Sequence, residues 1–91
     1  MIYTSKDSLL QVSVSEKPDP GGYFTVFAKQ LTDDKILANI KVDFGGEQPN
    51  FTTLVYRTGD QTKGMFTPVK GSHPGDTVQD VIITIELVSS S

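Results

Sequence analysis

Hydrophobic residues recur along the chain in six short runs, four of which can be sorted into two alternating faces, and clusters of Gly, Pro, Asp and Asn separate them. In residues 9–15, Leu10, Val12 and Val14 alternate strictly with Gln11, Ser13 and Ser15, the pattern of a half-buried strand. Pro18, Pro20, Gly21 and Gly22 end that run, because two prolines and two glycines cannot continue a ladder. Residues 23–29 follow, with Phe24, Val26 and Ala28 on one face and Tyr23, Thr25 and Phe27 on the other.

The third run, residues 35–44, is the clearest amphipathic strand. Ile36, Ala38, Ile40, Val42 and Phe44 form its apolar face, and Leu37, Asn39, Lys41 and Asp43 the face expected to meet water. A fourth strand is predicted over residues 51–57 and a short fifth over 65–69. Pro68 lacks an N–H, which assigns the fifth to a sheet edge or a bulge. The sixth run, residues 81–88, has the highest density of β-branched residues.

A helix competes for part of that last run. Val78, Val81, Ile82 and Ile85 fall at helical spacing, and Thr77 with Asp80 imitates a capping box. Four consecutive β-branched residues, Ile82 to Ile85, favour the strand. Every connection is short, so successive strands should pair antiparallel. The expectation is an all-β chain forming one domain over residues 1–91: a small antiparallel β-sandwich of six to seven strands, immunoglobulin-like or jelly-roll-like, with a small β-barrel as the alternative and residues 89–91 as a mobile tail.

Composition reinforces this picture. Val, Ile and Thr supply 25 of 91 residues and Ala only 2, a bias away from helix. There is no cysteine, which excludes a disulfide framework, a cysteine nucleophile and a thiolate metal site. No apolar run approaches the roughly 18–20 residues of a membrane-spanning helix, so no membrane partner is expected. The first seven residues lack the charged and apolar regions of a signal peptide, which points to synthesis in the cytoplasm, with incorporation into an assembled particle as a further expectation. The net charge is −3, and no two of the eight basic residues are adjacent, so a nucleic-acid partner is not expected.

Candidate chemistry is sparse. His73 is the only imidazole and sits in a Gly- and Pro-rich turn beside Ser72 and Asp76, where nothing in the sequence would hold a catalytic geometry. Six of the eight aspartates fall in turns, where Asp is favoured for its bonds to nearby backbone; the Asp33–Asp34 pair lacks the spacing of a calcium loop. The glycine pairs at 21–22 and 45–46 precede no helix that could complete a phosphate site. The sequon Asn50-Phe51-Thr52 matters only in a eukaryotic secretory route. No cofactor is expected, and the chain is read as non-enzymatic.

The more informative signal is a second apolar face. The last run carries Val81, Ile83, Ile85 and Leu87 on one side but also Val78, Ile82 and Val88 on the other, and the second run sets Tyr23 and Phe27 opposite Phe24 and Val26. Burying Ile82 and Val88 would each be worth about 1.5–3 kcal/mol. The expected interface residues are therefore Tyr23, Phe27, Val78, Ile82 and Val88. The predicted role is a structural, assembly or protein-interaction module that packs on copies of itself or on a larger particle, such as a virion or appendage component. The alternative is a lectin-like carbohydrate-binding module, with a glycan held by Tyr56, Arg57 and Asp60 together with Tyr23 and Phe66.

Overall fold

Strand-forming sequence becomes seven antiparallel strands in a computed structural model, which describes residues 1–45, 50–60, 63–71, 78 and 81–90. They are β1 (Ile2–Thr4), β2 (Leu10–Val14), β3 (Tyr23–Gln30), β4 (Ile36–Asp43), β5 (Phe51–Arg57), β6 (Gly64–Lys70) and β7 (Ile82–Ser90). One sheet has the order β1-β2-β3-β6 and the other β5-β4-β7, and the two pack as a β-sandwich. No ladder joins the sheets among the described residues, so the barrel alternative is not realised.

The predicted inward faces supply the core. Leu10, Val12 and Val14 from β2 and Phe24, Val26 and Ala28 from β3 meet Ile36, Ala38, Ile40 and Val42 from β4. Phe24 and Phe44 bridge the sheets, with ring centroids 5.3 Å apart. Burying a side chain of this size contributes about 1.5–3 kcal/mol. Pro68 lies on β6, an edge strand, opposite Thr25, which is where a residue without an N–H is tolerated. Between β2 and β3, Asp19 accepts the Gly21 and Tyr23 N–H groups at 2.8 and 2.9 Å; Gly22 completes the turn at φ 87°, a conformation that favours glycine.

The strand favoured over a competing helix is realised from Ile82 onward, while Thr77 and Asp80 of the alternative cap lie outside the described residues. Two features differ from expectation. β1, three residues long, is too short to show periodicity. Ser89 and Ser90, expected in a mobile tail, pair with Leu37 and Ile36 as the end of β7. The register shifts between Leu37 and Ala38, leaving Val88 as the extra residue of a bulge.

One end of the sandwich is closed by a buried polar clasp. Gln30, at the end of β3, is almost wholly buried. Its side-chain oxygen accepts the Thr58 hydroxyl at 2.8 Å and the Tyr56 hydroxyl at 3.3 Å, and its amide donates to the carbonyls of Thr32 and Asp34. Thr58 in turn accepts the Ile36 N–H at 2.7 Å. The clasp ties β3 of one sheet to β5 and β4 of the other. Burial raises the Tyr56 phenol above its ordinary 10.0, with the charge of Asp60 adding to the effect. The unfolded chain therefore releases that proton first, and the contribution of Tyr56 falls as pH rises past 10.0.

Gln30→Leu should cost about 1–3 kcal/mol in urea unfolding, because it strands the Tyr56 hydroxyl in the core. Tyr56→Phe should cost less, about 0.5–1.5 kcal/mol, since Gln30 keeps Thr58. The reverse order would contradict the clasp.

Candidate interaction surface

The outward-facing residues of the four-stranded sheet line up across its strands. Register places Ile2 opposite Ser13, Ser13 opposite Phe27, and Phe27 opposite Phe66, so one row crosses all four strands. Ile2 is 69% exposed and Phe66 62%. The Phe27 and Phe66 rings stack at 4.4 Å between centroids, and a Cβ built on Gly64 would lie 2.9 Å from the Phe27 ring, so that ring rests directly over the glycine. Phe27 is thus half-buried by its own sheet. Tyr23 stands at the end of the same face with the Lys70 ammonium 5.6 Å from its ring centre, a cation–π distance.

The other sheet presents a mixed outer face. Leu37, Asn39, Lys41 and Asp43 run down its middle on β4, flanked by Phe51 and Val55 on β5 and by Ile82, Thr84 and Glu86 on β7. Lys41 lies 4.3 Å from the Phe51 ring centre. Ile82 is 61% exposed, and Val88 is exposed at the bulge.

The five expected interface residues are therefore not one surface. Tyr23 and Phe27 belong to one sheet and Ile82 and Val88 to the other. Val78 belongs to neither outer face: it is half-buried and packed on the core. A turn in which the Val81 N–H reaches the Val78 carbonyl at 3.2 Å separates it from β7 and breaks the parity with Ile82.

The expected glycan site is dismantled. Tyr56 has no exposed surface and points into the core clasp, so it offers no ring to a sugar. Arg57 and Asp60 pair with each other at 3.4 Å, and Asp60 also accepts the Arg57 N–H at 3.2 Å, closing a local turn. Tyr23 and Phe66 share the opposite sheet, away from Arg57.

The turn aspartates are occupied in the same way. Asp19 bonds two backbone N–H groups, Asp43 accepts the Gly45 N–H at 2.8 Å, Asp34 accepts the Thr32 hydroxyl at 3.0 Å, and Asp33 pairs with Lys63, which holds its carboxyl below the ordinary carboxylate value. Among the described residues no three His, Cys, Asp or Glu side chains converge. Ser72, His73, Asp76 and Asp80 lie outside the described residues. Asn50 is buried and donates its side-chain amide to the Gly45 carbonyl at 3.2 Å, which removes the sequon nitrogen from the surface.

A groove of about 340 Å³ lies between β7 and the β1–β2 turn region. Thr84, Ile85 and Leu87 of β7 form one wall, and Tyr3, Leu9 and Leu10 much of the other. The β1–β2 turn at its mouth is pinned by Ser5, whose hydroxyl donates to Asp7 at 2.6 Å and accepts the Leu9 and Leu10 N–H groups at 3.2 and 3.1 Å. That hydroxyl, followed by the Leu9 N–H, holds the Asp7 carboxyl below its ordinary 3.8. Sequence periodicity missed this turn because its contacts come from single polar side chains.

No protein-family model matches the chain, and no match to it is found among curated proteins or among solved structures.

A depressed carboxyl stabilises the fold above its unfolded value, and that contribution is lost as pH falls through the folded value. Acidification below about 3.8 should therefore destabilise the native chain. Ser5→Ala should lower stability at neutral pH by about 1–3 kcal/mol. It should also shrink the further loss on acidification, measured as paired urea midpoints. An undiminished acid loss in that variant would show that Asp7 is held by something else.

Proposed function

We propose that this protein is a non-enzymatic assembly module that packs on copies of itself through the outer face of its four-stranded sheet. The observation that carries the reading is the row Ile2–Phe27–Phe66, continued by Pro68 and Tyr23. Large apolar side chains gathered on one exposed face, here broken only by Ser13 and Thr25, mark protein-binding sites more often than they serve the fold. The stacked phenylalanines present a flat, rigid area with little side-chain entropy left to lose, which suits docking. Lys70 beside Tyr23 adds a polar rim.

The small size of the chain points the same way. A domain of 91 residues buries only about 60–65% of its unfolded surface, so covering a second face by a neighbouring subunit would add to the stability its own core supplies. Apolar residues on both outer faces suit a component repeated within a larger particle, as in a virion or an appendage.

Sedimentation velocity at low micromolar concentration should give a mass above that of the 9.9 kDa chain. Phe66→Lys should shift it toward the monomer while leaving the far-UV circular dichroism unchanged. A plain monomer throughout the accessible concentration range, or a variant that associates as the parent does, would contradict the proposal.

A further inference from the structure

We propose that the free edge of β7 is closed by β7 of a second copy, running antiparallel about a twofold axis through Ile85 and joining two three-stranded sheets into one of six strands. The inference rests on the assembly reading but uses a different surface from the Phe66 face.

Strand count supplies the first argument. Sheets of four and three strands share the core, and β7 ends the narrower one on the side where the groove opens. Leu87 has the parity of the core residues Ile83 and Ile85, yet it is 38% exposed, whereas Ile83 is 5% exposed. At the opposite edge of the same sheet, Tyr56 of β5 is completely covered. Tyr56 is sealed at the β5 edge, whereas Leu87 at the β7 edge stays partly in water.

The second argument is the character of the edge. β1 has three residues, and β6 carries Pro68; both are devices that discourage pairing with another chain. β7 is nine residues long, without Pro or Lys, and bears one charge, Glu86. Such an edge is a template for a further strand.

The third argument identifies the occupant as a second copy. Around Ile85 the polar and apolar positions of the strand are symmetric: Thr84 and Glu86 are both polar, Ile83 and Leu87 both apolar, and Ile82 and Val88 both apolar. With Ile85 on the axis, Thr84 of one copy stands opposite Glu86 of the other on the outer face, and Ile83 stands opposite Leu87 over the groove. Centring the pair on Glu86 would oppose two carboxylates. Centring it on Thr84 would set Glu86 against Ile82. Placing the axis between two residues would set core-facing side chains against outward ones, which the pleat forbids. The bulge at Val88 ends regular geometry, so the paired segment is residues 83–87 of each copy.

The chain has no cysteine, so introduced thiols report without background. Thr84 and Glu86 are both exposed, and Thr84→Cys and Glu86→Cys leave the core intact. Directly opposed residues lie about 4.5–5.5 Å apart at Cα, within disulfide reach, whereas the same residue in the two copies lies on the diagonal, about 7–8 Å apart. Mixing the two single variants under mild oxidation should give a cross-linked heterodimer about tenfold faster than either variant gives alone. Cross-linking should persist when Phe66→Lys is added to both, because Phe66 lies on the other sheet. Equal cross-linking by each variant alone would overturn the register. An oligomer by native mass that gives no 84–86 cross-link would overturn the edge pairing while sparing the assembly reading, and a monomer that never cross-links would overturn both.

Discussion

Two sheets of unequal width sharing one core is the constraint on which the rest of this structure depends. β3 and β4 sit near the middle of their sheets and carry the most regular apolar faces, and their inward side chains belong to one buried cluster. The mismatch is pushed to the margins. At one margin the Gln30–Tyr56–Thr58 clasp draws the sheets together and leaves Tyr56 without exposed surface. At β7 no further strand is paired among the described residues, and Leu87 stays partly in water although its backbone position faces inward.

Polar chemistry in this chain is spent on closing turns. Asp7, Asp19, Asp43 and Asp60 each bond a backbone N–H two to four residues away, and Asp34 bonds the Thr32 hydroxyl. A carboxylate used in this way is held in place and partly satisfied, which makes it a poor metal ligand unless the turn opens. The apolar residues are the part of the surface whose free energy is not yet settled. Ile2 and Phe66 on one face, Ile82 on the other, and Leu87 at the edge all keep large hydrophobic areas in solvent.

The alternation along β2, β3 and β4 identifies every apolar core residue of those strands but not Gln30, the buried polar residue that ends the inward face of β3. β5 is less legible. Thr52 and Leu54 are only half-buried while Val55 faces out, so hydrophobicity does not reveal that Tyr56 points inward, and a tyrosine looked like a surface residue. Period-two analysis also showed that β3 and β7 each have two apolar sides, but not that the strands belong to different sheets. That assignment depends on long-range pairing, β3 with β6 and β4 with β7, which no local pattern encodes. Parity carried across the turn before β7 does not hold for Val78, which packs on the core. The serines at 89 and 90 looked like a tail because nothing in their chemistry announces the partners, Leu37 and Ile36, that hold them in the ladder.

Residue-resolved amide hydrogen exchange along β7, compared between dilute and concentrated protein, tests most directly whether another subunit completes the narrower sheet. Those backbone amides of residues 83–87 that point away from β4 should exchange freely in dilute solution and become strongly protected on concentration, while β2 and β3 stay unchanged. Exchange along β7 that is indifferent to concentration, in protein shown to be associated, would mean that the edge remains open and that the account of this strand is wrong.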